Sequence, residues 1–315
     1  MNISRFEQNV EQFIARHQLL DKDKPCLIAL SGGADSVSLL LALLHLGYKT
    51  EACHCNFHLR GSESVRDEQF CVSLCERLGV PLHRIHFDTE QYASLHKVSI
   101  EMAARELRYR YFEQLIQDLE AQGVCVAHHR DDSVETLLIN LIRGTGINGL
   151  TGIAPRNGHV LRPLLDVSRE DILEYLSLQQ QDYVTDSTNL VPDVVRNKIR
   201  LQVLPLLRTI NPSVSDSIAT TATHLAEANK MLSAALSDSR LSLTDSKGIT
   251  AISKEELLSK ASPEFVLHAL LSPYHFQGTS IREILNSIDA VGKRWQSSTH
   301  QLVIDRNTIL VKALE

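Results

Sequence analysis

A short glycine-containing loop is the strongest chemical signal in this sequence. Between the apolar runs 25–30 and 37–44 stand Ser31, Gly32, Gly33, Ala34, Asp35 and Ser36. A buried strand, a glycine turn and a buried helix in this order predict a loop whose backbone N–H groups and helix N-terminus attract a phosphate. Asp35 suits such a site if a divalent cation bridges it to the phosphates, or if it caps the helix. The loop is not a Walker A loop, because no Gly-Lys-Ser/Thr follows.

A second polar group follows the short apolar segment 124–127 and contains His128, His129, Asp131, Asp132 and Glu135. Carboxylates three or four residues apart occupy neighbouring positions on a helix surface. They suit a Mg²⁺ ion or an ammonium group, but acidic first turns also occur without any function, because the helix dipole favours them. The histidine pair lacks the ligand spacing of a zinc site.

Two basic stretches complete the set of candidate residues. Arg105 and Arg108 are three residues apart in the predicted helix 100–121, on one face that suits phosphate contacts. A later stretch carries Arg196, Lys198, Arg200 and Arg208, which suit contact with a nucleic-acid backbone. The alternative for both stretches is a solvated helix face.

The elements that must position these residues alternate regularly in the first half of the chain. The pattern predicts strands at 25–30, 49–56, 82–87 and 124–127, and helices at 36–46, 63–78, 100–121 and 131–142. This alternation predicts an α/β fold with a doubly wound, mostly parallel sheet. Ligands of such sheets bind at the carboxyl ends of the strands, so the loop 31–36, the strand end at 54–56 and the junction 128–132 are expected to be neighbours.

The second half reads differently. A glycine-rich segment at 143–158 predicts a mobile loop with few packed side chains. Beyond the break at 211–212, the sequence predicts helices at 213–237, 253–273 and 279–290 and a hairpin at 300–311. We therefore expect a first domain at 1–210 and a smaller, mainly helical domain at 211–315.

Composition places limits on the function. The 315 residues carry a net charge of −6, which by itself argues mildly against a nucleic-acid partner. No apolar stretch is long enough to span a bilayer, and residues 1–7 lack the character of a signal peptide. The six cysteines lie in the first half and are interpreted as reduced thiols. We expect a cytoplasmic protein without membrane contact.

At the level of motifs, residues 31–36 resemble the SGGxDS loop, or PP-loop, of the N-type ATP pyrophosphatases. Three further segments resemble motifs of the tRNA(Ile)-lysidine synthetase family: 54–60 (HCNFHLR), 101–109 (EMAARELRY) and 127–136 (AHHRDDSVET). The segments 143–150, 162–165, 186–189, 196–200, 204–205 and 211–212 follow in the family's order. The resemblance is strong over 25–212 and looser over 213–315. Cys55 and Phe57 depart from the family's pattern.

The resemblance implies a ligase that modifies the wobble cytidine in the CAU anticodon of an isoleucine tRNA. ATP adenylates the C2 oxygen of the cytosine and pyrophosphate leaves, after which the ε-amine of free lysine attacks C2 and expels AMP. The implied partners are tRNA(Ile), ATP with Mg²⁺ and free lysine, and the resemblance allows a homodimer.

The resemblance also suggests roles for individual residues. The PP-loop backbone would stabilise the leaving pyrophosphate, and Asp35 would hold Mg²⁺. Asp132 and Glu135 would bind the lysine ammonium and help to remove its proton, while Arg108 and His128 would contact phosphate or the adenylate. For tRNA, the expected contacts are Arg143, Arg196, Lys198, Arg200 and Arg208, with Arg162, and the glycine loop 144–152 would close over the flipped cytidine.

Two alternatives remain at this level. A tRNA thiolase of the same superfamily would adenylate a base and deliver sulfur, but such enzymes typically carry CxxC pairs, and this sequence has none. A non-catalytic module that only binds ATP would not need the carboxylates, arginines and histidine pair.

Overall fold

The computed structural model describes residues 4–185, 195–236, 241–246, 248–276 and 278–314. The chain divides into two compact units, Met1–Ala226 and Glu227–Glu315, and the boundary in sequence falls within one long helix. The sequence pattern placed a domain boundary after residue 210, at the Asn211-Pro212 break. None of the described helices is long and apolar enough to cross a membrane.

The first unit is built on a six-stranded sheet with helices on both faces. Its strands are β1 (Cys26–Ala29), β2 (Thr50–Asn56), β3 (Leu82–His86), β4 (Val124–Cys125), β5 (Arg156–Asn157) and β6 (Val160–Leu161). Its helices are α1 (Arg5–His17), α2 (Ala34–His45), α3 (Ser62–Leu78), α4 (Thr89–His96), α5 (Ile100–Asp118), α6 (Arg130–Ile142), α7 (Arg169–Leu178), α8 (Val195–Lys198) and α9 (Leu204–Ile210). The helix α10 (Val214–Leu236) follows and crosses the unit boundary.

The strand order is β3-β2-β1-β4-β6-β5, and every pair except β5–β6 is parallel. The chain proceeds outward from β1 to β3 and then returns to add β4 on the other side of β1. The direction of winding therefore reverses between β1 and β4, which is where open α/β sheets form their ligand crevice. The expected α/β fold with a doubly wound, mostly parallel sheet is confirmed.

Side chains of β1 alternate between the two cores of the sheet. Cys26 and Ile28 belong to the larger core, together with the apolar faces of α1, α2 and α7, whereas Leu27 packs with Phe112 and Ile116 of α5 on the other face. The buried faces of α2 explain its almost continuous apolar sequence. This packing fixes the start of α2, and with it the loop that precedes it.

A buried polar network joins α1, α2 and α7. Glu7 accepts hydrogen bonds from His45 Nδ1 at 2.6 Å and from the Tyr175 hydroxyl at 2.8 Å, and the Tyr175 ring stacks on Phe6. Burial opposes ionisation of Glu7, but the hydrogen bonds from Ser4, His45 and Tyr175 outweigh it, so its pKa lies below the ordinary value of 4.5. The network holds α2, the helix that follows the loop 31–36, against α1 and α7.

We expect Tyr175→Phe to destabilise the first unit by about 1–2 kcal/mol near pH 7, because it removes a donor to a buried carboxylate. The contribution of Glu7 is present above its ordinary pKa of 4.5 and is lost as the pH falls through the lowered value, so the effect should shrink in acid. Urea unfolding should be followed by far-UV circular dichroism, because the single tryptophan, Trp295, lies in the second unit. An equal effect at all pH values would contradict this assignment.

The second unit combines helices with a five-stranded antiparallel sheet of order β7-β8-β11-β10-β9. The strands are β7 (Ser242–Thr244), β8 (Thr250–Ser253), β9 (Arg294–Gln296), β10 (His300–Ile304) and β11 (Thr308–Ala313), and the helices are α11 (Lys254–Leu258), α12 (Pro263–Leu271) and α13 (Gly278–Asn286). The predicted hairpin is present as β10–β11. The short strands β7, β8 and β9 carry too few residues to show an alternation in the sequence.

Other differences from the sequence pattern have local causes. The predicted helix 253–273 is divided into α11 and α12, because Pro263 starts a new helix. The glycine-rich segment contains a 3₁₀ turn at Ile147–Leu150 and the strand β5, which pairs with β6 just after the segment. The motif segment 186–189 lies outside the described residues.

Candidate active site at the carboxyl edge of the sheet

The loop 31–36 forms a compact turn at the carboxyl end of β1. The Ser36 hydroxyl donates to the Gly33 carbonyl at 3.0 Å and accepts the Ser31 N–H at 3.2 Å, and the two serine hydroxyls are 3.1 Å apart. Gly33 is the N-cap of α2 and receives no side-chain cap. The first N–H groups of α2 are therefore directed at the space above the loop, as an anion site requires.

Position 32 requires a glycine, because of its backbone conformation and because neighbouring side chains leave little room for a Cβ. Its φ is +88°, and a Cβ there would lie 3.3 Å from Phe70 and 3.4 Å from Val184. Val184 also donates its N–H to the Gly32 carbonyl at 2.9 Å. The segment that precedes the undescribed residues 186–194 therefore packs on the loop, a contact that the sequence did not indicate.

The second polar group begins α6, beside the loop. His129 is the N-cap of α6, and its backbone N–H donates to Asp132 Oδ2 at 3.0 Å. Its buried ring lies 3.9 Å from Asp35, 3.6 Å from Asp131 and 3.5 Å from Asp132, measured between ring nitrogens and carboxylate oxygens. One imidazole thus connects the loop 31–36 (the phosphate loop) with the start of α6, which carries Asp131, Asp132 and Glu135 (the acidic turn). This proximity is expected for neighbours across the β1–β4 crevice.

The pKa values of Glu135 and Asp131 are shifted in opposite directions by burial and by hydrogen bonding. Burial raises the pKa of Glu135, and Arg200 opposes the shift without cancelling it. Burial also acts on Asp131, but the nearby His129 ring and the hydrogen bond from the Arg169 N–H outweigh it and lower its pKa to about 2. Separated pKa values of this kind are typical of sites that bind and transfer protons.

Arg196 and Arg200 lie against the acidic turn. Arg200 donates to both oxygens of Glu135, at 2.6 and 3.0 Å, and to Asp132 at 3.3 Å. Arg196 donates to the Thr136 hydroxyl at 2.9 Å and lies 3.6 Å from Glu135. Two of the arginines expected to face tRNA are thus placed beside the carboxylates expected to bind lysine.

A π-helical turn at Ile199–Val203 contains Arg200 and follows α8, which carries Arg196. It joins α8 to α9, where Pro205 stands in the first turn. A proline has no N–H to give and its ring crowds the carbonyl four residues earlier, so the helix widens before it. The π-turn begins just before Arg200, and Ile199 is buried against Val134 of α6.

His128 follows β4, and Arg108 of α5 lies near the end of β2. Burial lowers the pKa of His128 to about 4; Asp132 opposes this shift, and Arg162 and Arg196 add to it. Arg162 Nε donates to His128 Nδ1 at 3.3 Å, so the neutral ring carries its proton on Nε2. The exposed Arg108 lies 5.1 Å from the centre of the Phe57 ring, at the end of β2.

The remaining basic residues are more exposed. Arg143 caps the carboxyl end of α6 and, like Lys198, is exposed. Arg208 lies 3.6 Å from Asp131. The glycine-rich segment between these elements is tied to α6, because Asn140 donates to the Gly149 carbonyl at 2.7 Å and the Ile153 N–H donates to Ser133 at 3.0 Å.

Arg169 is a candidate site residue that the sequence analysis did not identify. It is the first residue of α7, its backbone N–H donates to Asp131 at 2.8 Å, and its guanidinium forms an ion pair with Asp35. Ser168 precedes it as the N-cap of α7, with a hydroxyl that accepts from the Asp171 N–H at 3.0 Å. A lone arginine at the start of a helix carries no signal until the fold brings that helix to the loop.

The fit of a divalent cation at Asp35 can be tested on this geometry. Asp35 is partly exposed at the anion-attracting end of α2, with Arg169 as its present partner. Among the described residues no group of three His, Cys, Asp or Glu side chains is arranged to hold a metal. Mg²⁺ that accompanies a nucleotide takes only one or two protein carboxylates and fills its shell with phosphate oxygens and water. Asp35 therefore fits a Mg²⁺ that arrives with ATP.

Two family models match the chain, one in each compact unit. Residues 2–207 match the family model of the PP-loop domain, and residues 245–314 match that of the TilS substrate binding domain. The two matches fall in the first and second compact units respectively.

Curated relatives align along nearly the whole chain. A tRNA(Ile)-lysidine synthase of Bacteroides thetaiotaomicron is 47% identical over 98% of this chain and 72% of the relative. A tRNA(Ile)-lysidine synthase of Parabacteroides distasonis is 49% identical over 97% of this chain and 70% of the relative. Among solved structures, a U34-tRNA thiolase, NcsA of Methanococcus maripaludis, matches with a TM-score of 0.57 at 17% identity over 70% of this chain and 78% of the thiolase, a likeness of fold.

Proposed function

This chain belongs to the tRNA(Ile)-lysidine synthase family of PP-loop enzymes, and from that premise we propose that it joins free lysine to C2 of the wobble cytidine in the CAU anticodon of tRNA(Ile). The proposed reaction has two steps, adenylation of the cytidine by ATP and displacement of AMP by lysine. One observation carries the proposal: His129 lies within 3.9 Å of both Asp35 and Asp132, so the loop and the acidic turn form one site.

In the first step, the C2 oxygen of cytosine attacks the α-phosphate of ATP and pyrophosphate leaves. The N–H groups of the loop and of the first turn of α2 would stabilise the negative charge that the leaving group gains. Bound Mg²⁺, held by Asp35, would supply charge neutralisation of the phosphates. Arg169, which lies beside Asp35 at the start of α7, would contact a phosphate oxygen. Neutral His128 would donate from Nε2 to an oxygen of the adenylate.

In the second step, the ε-amine of lysine attacks C2 and AMP leaves. An ammonium group has no lone pair, so it must lose a proton first. We assign binding of the ammonium to Asp132 and acceptance of the proton to Glu135, because burial raises the pKa of Glu135. The neighbouring Arg200 guanidinium would repel the ammonium charge and lower the pKa of the substrate amine, which favours the nucleophilic neutral form.

For tRNA, we propose contacts from Arg143 and Lys198, which are exposed, and from the second unit, which matches a substrate binding domain. Arg196, Arg200 and Arg208 would act closer to the acidic turn than to the RNA backbone, since each lies within 3.6 Å of one of its carboxylates. This revises their proposed role from general backbone contacts to residues that control charge at the reaction centre.

The chemistry of the cysteines does not support sulfur transfer. Sulfur delivery needs an accessible thiolate, and five of the six cysteines are buried. Burial raises the pKa of the remaining thiol, Cys55, to about 12, and that of Cys75 to about 11. These thiols are therefore protonated at neutral pH.

Incubation with ATP, labelled lysine and tRNA(Ile) that carries a CAU anticodon tests the proposed function directly. We expect label in the RNA, with one AMP and one pyrophosphate formed per lysine transferred. A tRNA with the same anticodon loop but with guanosine in place of the wobble cytidine is the matched control. Incorporation of sulfur, or ATP binding without any RNA product, would contradict the proposal.

We expect Arg169→Ala to raise KM for ATP about tenfold, because it removes a charge-assisted contact to a phosphate. Arg169→Lys should retain part of the effect, since it keeps the charge but loses the planar fork. The measurement is pyrophosphate release as a function of ATP at saturating Mg²⁺. If Arg169 served only to neutralise Asp35, the alanine variant would instead bind Mg²⁺–ATP more tightly.

A further inference from the structure

A cavity of about 480 Å³ lies beside the active site, at the carboxyl ends of β2 and β3. It is lined by residues 57–58, which follow β2, and by residues 86–90, which lead into α4. Its volume falls within the range of about 300–1,000 Å³ that is typical of small-ligand pockets. The mechanism proposed above does not use it.

Aromatic rings dominate the wall of this cavity. Phe57 stacks on Phe87 with ring centres 5.5 Å apart, and His58 stacks on His86 at 5.0 Å, both pairs with an angle of 23° between planes. The two imidazoles are also joined at 3.0 Å between His86 Nδ1 and His58 Nε2. Both histidines are exposed, so they present ring surface to solvent.

The wall is held rigidly. The Phe87 N–H donates to the Asn56 carbonyl at 2.9 Å, and the Thr89 hydroxyl donates to the Phe57 carbonyl at 3.0 Å, so the two turns are fixed to each other. His86 lies 3.2 Å from Glu68, which also accepts from Asn56 at 2.8 Å. A stacking surface fixed in this way would lose little conformational entropy on binding a flat ring.

The charged residues at the cavity favour a nucleobase over a phosphate as its ligand. Asp88 and Glu90 line the cavity and are exposed, so their carboxylates repel phosphate and can accept hydrogen bonds from an exocyclic amino group of a nucleobase. Arg108 lies on Phe57 and is exposed, so it supplies a cation outside the cavity for a phosphodiester. The arrangement suits a nucleoside unit whose base enters and whose phosphate stays at the rim.

The cavity lies close to the loop 31–36, because β3 is only two strands away from β1 in the sheet. Neighbouring strands are about 4.8 Å apart, so the end of β3 lies about 10 Å from the end of β1, where the phosphate loop begins. Single-stranded loops are recognised by splaying their bases and stacking them on aromatic side chains. A base next to the reactive cytidine therefore has a surface available within reach.

We propose that this cavity binds an unpaired base of the substrate RNA that is adjacent in sequence to the modified cytidine, by stacking on His58 and His86. The inference rests on the proposed function for the identity of the RNA. It adds a binding site that is separate from the phosphate loop and the acidic turn, and it assigns to the segment 57–58 a role in holding the anticodon open.

Binding of a dye-labelled anticodon stem-loop with the CAU sequence, measured by fluorescence anisotropy without ATP and lysine, tests the site. We expect the double variant His58→Ala, His86→Ala to bind about tenfold more weakly, as loss of base stacking predicts. His96→Ala, which removes an exposed histidine from α4 outside the cavity, is the matched control and should bind like the parent. Replacing the two histidines by Tyr and Phe should restore binding.

Combining the protein variants with abasic substitutions in the RNA tests whether the two histidines contact a specific base. Stem-loops with an abasic site before or after the cytidine should bind the parent about tenfold more weakly at one of these positions, and the double variant should show no further loss at that position. Losses that multiply at both positions would overturn the inference, as would an unchanged affinity of the double variant. A higher KM for ATP with unchanged RNA binding would assign the cavity to the nucleotide and overturn it too.

The two proposals fail separately. RNA binding with the expected coupling but no lysine transfer by the parent would overturn the proposed function and leave the base site standing. Lysine transfer by the parent without coupling would overturn the base site alone. A stem-loop that does not bind the parent would overturn the base site, while the transfer assay on whole tRNA(Ile) decides the proposed function.

Discussion

Asp132→Asn is expected to lower kcat/KM for lysine about a hundredfold while pyrophosphate release from ATP in the presence of tRNA stays within about threefold of the parent. Loss of one member of a buried charge pair costs about 2–5 kcal/mol, and Asp132 is the carboxylate proposed to bind the lysine ammonium. Asn is nearly isosteric and still accepts the His129 N–H, which now donates to Asp132 at 3.0 Å. The cap of α6 should therefore survive the substitution.

The measurement separates the two steps of the reaction. Pyrophosphate release is followed without lysine, and label transfer is followed with increasing lysine. Asp118→Asn, the same change at the exposed carboxyl end of α5, is the matched control and should leave both quantities unchanged. Lysine transfer by Asp132→Asn at the parent rate would show that Asp132 does not bind the amine.

Asp35→Asn is expected to act on the other step, with pyrophosphate release reduced about 10²–10³-fold, which is the scale for loss of one electrostatic contact to a developing charge. Asp35 stands in the first turn of α2, so the substitution also removes a favourable interaction with the helix dipole, a far smaller effect on stability of about 0.3–1 kcal/mol. The ion pair with Arg169 is lost at the same time.

Titration with Mg²⁺ distinguishes the reasons for this loss. If Asp35 holds the cation, higher Mg²⁺ should restore part of the activity of Asp35→Asn, because mass action offsets the weaker site. Glu170→Gln, an exposed acidic neighbour of Arg169, provides the control for a general change of charge. A variant that loses no activity at low Mg²⁺ would exclude Asp35 as a ligand.

The acidic turn shows how far residue types alone can lead. The spacing of Asp131, Asp132 and Glu135 predicts neighbouring carboxylates, and the structure places them so. Their different proton affinities do not follow from spacing. Glu135 is buried beneath Arg200, whereas Asp131 receives the backbone N–H of Arg169, 38 residues further along the chain.

The motif 54–60 illustrates a different limit. The resemblance assigned this segment to a family, but the structure gives most of its residues a supporting role. His54 bonds to the Leu30 carbonyl at 2.8 Å, and Asn56 bonds to Glu68 of α3. Phe57, which departs from the family pattern, instead lines the cavity beside the site.

The sequence by itself determined the α/β class, the phosphate loop and the acidic turn, because each depends on local signals: apolar periodicity, glycines with their required conformation and residues at helical spacing. It also determined that these motifs share one edge, since parallel strands must end on the same side. Only the tertiary structure decided which charges meet. Arg169, Arg196 and Arg200 come from helices beyond the sheet, and their partners are set by how those helices pack. Contacts between distant segments leave no periodic trace in a single sequence, so the pairing of the site had to be read from the fold.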